Sequence, residues 1–96
     1  MNKSYCVYII TNKRNGTFYI GITSNLPQRV MQHKCRAVPG FASRYGLDRL
    51  VWFEIHTEVT EAIAREKQLK GWNRAWKIKL IESANPQWSE LDATIL

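Results

Sequence analysis

Two short apolar runs, Tyr5–Ile10 and Phe18–Ile22, flank the polar break NKRNGT, and no other stretch restricts the fold as much. Asn15-Gly16 within the break supplies the positive backbone dihedrals of a tight hairpin turn. The stretch therefore predicts an antiparallel ribbon, Lys3–Asn12 against Thr17–Thr23. Strand side chains alternate, so Cys6, Tyr8 and Ile10 share one side and Tyr5, Val7 and Ile9 the other. Tyr19, Gly21 and Thr23 likewise share a face, opposite Phe18, Ile20 and Ile22. A turn centred between Lys13 and Arg14 sets Tyr8 directly across from Tyr19. One centred on Asn15-Gly16 slides the pair apart but keeps both on one face, since either register pairs even with odd positions. The ribbon presents two phenols and a bare glycine backbone together. The same residues also suit an ordinary strand with a bulge at Gly21.

Downstream, Asn25 caps a helix with Pro27 in its first turn, running to about Arg36. Leu26, Val30 and Ala37 form its apolar stripe, and Arg29 and His33 lie one turn apart along the edge of that stripe. Ala37–Gly46 reads as a loop. Leu50–His56 is a third strand beside the hairpin, apolar enough to be buried on both faces. Thr60 or a neighbour caps a second helix, Glu61–Lys70, ended by Gly71. Asn73 caps a third, Arg74–Ala84, stopped by Asn85-Pro86. Trp88 and Leu91 of the tail pack back on the body. The sum is an α+β fold, a three-stranded mainly antiparallel sheet flanked by three helices in the order β-β-α-β-α-α. It forms one domain over residues 1–96, with a core of 4–88 and a tail of 89–96.

A chain of 96 residues, 45% hydrophobic with four tryptophans, builds one core and not two. It has no run near the ~18 apolar residues of a membrane span, and MNKSYC lacks the apolar stretch of a signal peptide. These features predict a cytoplasmic protein, no membrane partner, and Cys6 and Cys35 as free thiols. Fourteen Lys and Arg against eight acids give a net charge of +6, which favours a polyanionic partner, nucleic acid foremost.

Glu66 is the most informative single residue. It falls at the centre of the apolar arc Val59, Ala62, Ile63 and Leu69, where a carboxylate needs a cation, a metal or strong hydrogen bonds. Lys70, four residues on, offers a plain ion pair. Arg29 suits either a structural counter-ion or a guanidinium aimed at a phosphate. His33 reads as a ligand, an acid or a boundary histidine. Lys67, Lys70, Trp72, Arg74, Trp76, Lys77 and Lys79 form a basic and aromatic track. Helical spacing turns Trp76 and Leu80 one way and Arg74 and Lys77 toward solvent. Such a track is either a solvated face or a line of phosphate contacts. Zinc is not supported: His33 and Cys35 point different ways, and there is no Cys-x-x-Cys or matching His pair.

Taken in order, Val7-Tyr8, Tyr19-Ile20-Gly21, Arg29, His33, Glu66 and Asn85-Pro86 resemble the GIY-YIG nuclease superfamily. The likeness covers about Ser4 to Trp88 and is nearest to the small stand-alone bacterial members. The chain is also similar to the incision module of bacterial nucleotide-excision repair. The resemblance implies a metal-dependent endonuclease acting on DNA by a one-metal mechanism, in repair or recombination. Tyr8 and Tyr19 are then the motif tyrosines, one of which orders or deprotonates the attacking water. Arg29 steadies the phosphate, and Glu66 holds magnesium or manganese. Asn85 shapes the site, Gly21 permits close approach, and His33 stands where relatives carry His or Tyr. Lys67, Lys70, Arg74 and Lys77 are the substrate-binding candidates. Two positions depart from the pattern: Cys6 replaces the leading glycine of the first motif, and Ile22 replaces the lysine that follows the second in the repair module.

A free phenol with pKa near ~10 is only about 0.1% ionised at pH 7, a deficit of roughly 4 kcal/mol that metal and cations must reduce. Tyr8 is assigned as the base and Tyr19 as the water-positioning phenol. A monomer is the default state. The alternative reading is a nucleic-acid-binding or partner-docking module that keeps the fold and turns over little or no substrate.

Overall fold

The computed structural model describes residues 4–36, 40 and 44–93. Its elements are β1 (Tyr5–Thr11), β2 (Phe18–Thr23), α1 (Leu26–Lys34), β3 (Arg49–His56), α2 (Val59–Gly71) and α3 (Arg74–Ala84). This is the anticipated β-β-α-β-α-α order. All pairing is antiparallel, and β1 is the middle strand of the sheet order β2-β1-β3. The expected Lys3 end of the first strand and Ala37 of the helical stripe lie outside the described residues.

The central strand explains the layering. Residues 6–11 of β1 are all buried, so its alternating side chains fill two separate cores. On one face Cys6, Tyr8 and Ile10 pack with Leu26 and Val30 of α1, Leu47, Leu50 and Ala93. On the other, Val7 and Ile9 pack with Ile20, Val51, Trp52, Ala62, Leu69, Ile81 and Trp88 beneath α2 and α3. Trp88, with no exposed surface, and Leu91 do fold back on the body. Among the described residues no helix is long and apolar enough to cross a membrane. Cys6 is buried, Cys35 is exposed, and both are free.

The hairpin register is neither of the two considered. Thr11 pairs with Phe18 and Tyr8 with Gly21, so the turn is centred between Arg14 and Asn15. Only Asn15 adopts the left-handed conformation, at φ 57°, rather than Asn15 and Gly16 together. The loop is fixed from outside: Arg74 Nη2 donates to the carbonyls of Asn15 (2.5 Å) and Gly16 (2.9 Å) with its guanidinium 4.4 Å from the Phe18 ring centre. That tertiary clamp outweighs the local preference for a two-residue turn.

Local chemistry sets the helix ends. Asn25 Oδ1 accepts from Gln28 N, and Asn73 Oδ1 accepts from Trp76 N, both as N-caps should. α1 stops at Lys34, short of Arg36, because Arg36 turns left-handed at φ 52°. α2 begins at Val59, before Thr60. Its N-cap is Glu58, which makes no side-chain cap bond, and Gly71 is its last helical residue. The buried side of α2 is narrower than the arc drawn from sequence. Ala62 and Leu69 are fully buried, whereas Val59 and Ile63 are each 40% exposed. A three-stranded sheet is too narrow to cover them.

Two further expectations are corrected. β3 is buried on both faces only at Leu50, Val51 and Trp52; Ile55 stands half exposed beyond the start of α1. Trp76 points outward, and Ile81 is the fully buried residue of α3.

Candidate functional site

Gly21 shows why the phenols gather. A Cβ there would stand 2.5 Å from Tyr8 Oη, 2.6 Å from Tyr8 Cζ and 2.9 Å from Tyr19 Cε1. The Tyr8 ring therefore occupies the space a side chain would take, and the unbroken β1–β2 register leaves no bulge at Gly21. Tyr19, diagonal to Tyr8, brings its ring centre to 6.2 Å. His33 of α1 stands against both, at 5.8 Å from Tyr8 and 5.6 Å from Tyr19.

Tyr8 Oη and His33 Nε2 are 3.0 Å apart. Burial, with the nearby Arg29 guanidinium adding to it, pushes the His33 pKa below the usual imidazole value. The ring is consequently neutral at pH 7, and its Nε2 is able to accept the Tyr8 proton. The Tyr8 phenol is pushed up to about 12, mainly by burial and then by Tyr19, with Glu66 a smaller contributor; Arg29 opposes this through charge and hydrogen bonding. Tyr19, Arg29, His33 and Glu66 thus all bear on the Tyr8 hydroxyl.

Glu66 bears on the Tyr8 hydroxyl through its charge, from α2, which packs chiefly on β2 and β1. Its side chain is 16% exposed and lies 3.7 Å from Lys70 Nζ. The carboxylate is turned inward and is also paired with its i+4 lysine, the plain ion pair that the sequence offered. A neighbouring network steadies the helix. Arg65 Nε donates to Glu54 (3.1 Å), Nη1 donates to Gln68, and the guanidinium sits over Trp72 (5.3 Å) and Trp52 (6.0 Å). Nothing in the sequence singled out Arg65, which joins Glu54 and Trp52 of β3 to Gln68 and Trp72 at its own end of α2.

The basic candidates divide. Lys70 and Lys77 join Phe18, Tyr19 and Ile20 around an open hollow along the free edge of β2. Lys77 is half-buried there, not turned to solvent. Arg74 is committed to the hairpin loop, and Lys67 stands exposed, away from that hollow.

Asn85 serves the scaffold. Its Nδ2 donates to Val51 O (3.0 Å) and Ser89 O (2.9 Å), and its Oδ1 accepts from Ser89 N (3.0 Å). Val51 is the extra residue of a bulge, standing between Leu50 opposite Ile10 and Trp52 opposite Ile9. The amide's donors and acceptor are all engaged, so Asn85 ties the segment after α3 to β3. Glu90 acts in a similar way: its carboxylate accepts from Leu50 N (2.7 Å) and from Lys34, which ties the end of α1 to β3. Its partners are 40 and 56 residues away, beyond any sequence pattern.

Residues 4–79 match a family profile described as the GIY-YIG catalytic domain. A UPF0213 protein of Staphylococcus haemolyticus (strain JCSC1435) is 35% identical over 86 residues, spanning 85% of this chain and 98% of its own. A UPF0213 protein from the VLF1-GP41 intergenic region of Autographa californica nuclear polyhedrosis virus is 56% identical over 32 residues, 33% of this chain and 30% of the viral one. The solution NMR structure of a UPF0213 protein from Bacillus halodurans has the same fold, with a TM-score of 0.59 over 91% of this chain and 92% of that one at 24% identity.

Proposed function

The chain belongs to the GIY-YIG family, and on that premise we propose that it is a divalent-metal-dependent endonuclease that hydrolyses a DNA phosphodiester. The observation that carries the proposal is the Tyr8 hydroxyl, held 3.0 Å from a neutral imidazole and subject to the charges of Arg29 and Glu66.

Alone, Tyr8 is a poor base. With its pKa at about 12, ionising it at pH 7 costs about 7 kcal/mol, more than the free phenol requires. The contact with His33 removes that burden. A water held by Tyr19 attacks phosphorus and gives its proton to Tyr8 Oη as the hydroxyl proton passes to His33 Nε2. Tyr8 then never bears a full charge. Tyr8 has no exposed surface, so the mechanism requires the half-buried Tyr19 to shift and admit the water to its hydroxyl. Arg29 pairs with the non-bridging oxygens as their charge grows, and the departing alkoxide takes a proton from solvent.

The donor set fits magnesium or manganese. Glu66 offers a single carboxylate, and among the described residues no three His, Cys, Asp or Glu side chains gather to hold a metal. That suits an ion that takes oxygen ligands and keeps most of its own waters. Glu66 is the residue that would hold it, and the bound ion would supply positive charge beside the reacting phosphate. Repair or recombination is the setting in which such cutting serves a cell.

The test is nicking of supercoiled plasmid and branched DNA with magnesium or manganese. Cleavage should vanish in EDTA and fall at least a hundredfold in Arg29→Ala and Glu66→Ala. Either variant cutting like the parent would sink the proposal. One observation favours the alternative, a binding module with little turnover: Lys70 already occupies the Glu66 carboxylate. Salt-dependent DNA binding without cleavage, indifferent to Glu66→Ala, would establish that reading.

A further inference from the structure

Lys70 belongs to two places at once. Its ammonium is 3.7 Å from Glu66 Oε2, yet the same side chain lines the hollow on the β2 edge with Tyr19 and Lys77. It is 53% exposed, whereas the Glu66 side chain is 16% exposed. A long, half-exposed lysine changes partner at little cost, while a carboxylate on a packed helix face does not. Any cation anchored at Glu66 must displace the ammonium or share the carboxylate with it. A displaced Lys70 has the hollow beside Tyr19 within its own reach.

Resting on the endonuclease reading, we propose that Lys70 is an exchangeable counter-ion. It holds Glu66 while the metal site is empty, and on metal binding it moves into the hollow on the β2 edge, where it and Lys77 seat a backbone phosphate next to the scissile one. Metal binding thereby makes a phosphate subsite available, and the two ligands favour each other by linkage. Lys77 makes no ion pair with Glu66, so it serves the same phosphate whether or not metal is present.

The two functions separate in one pair of variants. Lys70→Gln removes the competitor at Glu66, so Mn2+ alone, titrated by calorimetry or electron paramagnetic resonance, should bind about 2- to 5-fold more tightly. The same change removes a phosphate contact. DNA binding is measured on a Tyr8→Phe background to prevent turnover, with a short duplex across a salt series. With Mn2+ present, Lys70→Gln should lower the log–log salt slope by about one, and in EDTA it should change that slope little. Lys77→Gln should weaken DNA binding in both conditions and leave Mn2+ affinity unchanged. Circular dichroism identifies any variant that fails to fold; Lys70→Met then replaces Lys70→Gln, keeping the apolar stem.

Unchanged or weaker Mn2+ binding in Lys70→Gln, with Glu66→Gln losing Mn2+, overturns the exchange and leaves Glu66 as the anchor. An equal loss of DNA affinity with and without Mn2+ also overturns it, since Lys70 would then never have been held back. Mn2+ binding that survives Glu66→Gln removes the anchor itself, and the endonuclease reading falls with the exchange.

Discussion

Replacing Gly21 by alanine tests the packing on which the site depends. The added Cβ would meet Tyr8 Oη at 2.5 Å, about 0.9 Å inside the 3.4 Å where ordinary contact begins. The Tyr8 ring is fully buried, with Tyr19 and His33 against it, so it has no free direction in which to yield. Overpacking of this kind costs about 1–3 kcal/mol. Alanine returns about 0.5–1 kcal/mol because glycine loses more backbone freedom in a strand. The net loss is about 1–2 kcal/mol. With a urea slope of about 1.5 kcal/mol/M for a small domain, the unfolding midpoint should drop by about 1 M. If the ring moves to relieve the clash, its hydroxyl leaves His33 and nicking falls at least tenfold. The decisive comparison uses Tyr8→Leu, which removes Cζ and the hydroxyl. In that background Gly21→Ala should be neutral or slightly stabilising, a coupling of about 1–2 kcal/mol. An equal cost in both backgrounds would refute the argument that Gly21 is bare to admit the Tyr8 ring.

Arg74→Ala removes two charge-assisted hydrogen bonds to the hairpin loop and should cost about 1–2 kcal/mol in urea unfolding, with Arg74→Lys recovering only part of it. Asn85→Ala leaves the Val51 carbonyl, the Ser89 carbonyl and the Ser89 amide without their partners. A loss of about 2 kcal/mol follows, and calorimetry should show a melting point lower by about 10 °C. Stability should depend on pH at both ends. The His33 pKa is lowered on folding, so its contribution is complete above about 6.5 and is lost as pH falls below that value. Tyr8 is raised from 10 to about 12, so its contribution is complete below 10 and is lost as pH climbs through 12. Thermal melts across pH should show both limbs, and His33→Asn should flatten the acid one alone.

What could be read ahead of the coordinates was whatever depends on neighbours along the chain. The bounds of α3 follow from local signals: the Asn73 side chain bonds its own helix end at Trp76 N, and the helix stops at Asn85, just before Pro86. Glu66 was legible because a carboxylate among apolar residues at helical spacing demands a partner. The hairpin register was not, since Arg74 fixes the loop from 58 residues away. Periodicity also overstated how much of α2 is covered and turned Trp76 inward. It shows that a helix has an apolar side without revealing how wide a surface the sheet offers. Of the site contacts, the Tyr8–His33 hydrogen bond was the least accessible, because it depends on how closely α1 seats on β1. Only the family resemblance put the two side chains in one site, and the sequence did not choose among ligand, acid and boundary roles for His33.

The stretch that matches the family ends at residue 79, but the hydrophobic interior does not. Ile81 and Trp88 plug one side of the sheet and Ala93 the other, while Glu90 and Leu91 fasten to Leu50 on the outer strand. A cassette excised at the motif boundary for grafting onto another protein would carry Tyr8, Tyr19, Arg29, His33 and Glu66 and lose the stopper on each side. The working unit for transplantation extends through Ala93, and shorter excisions should be judged by whether they fold before they are judged by whether they cut.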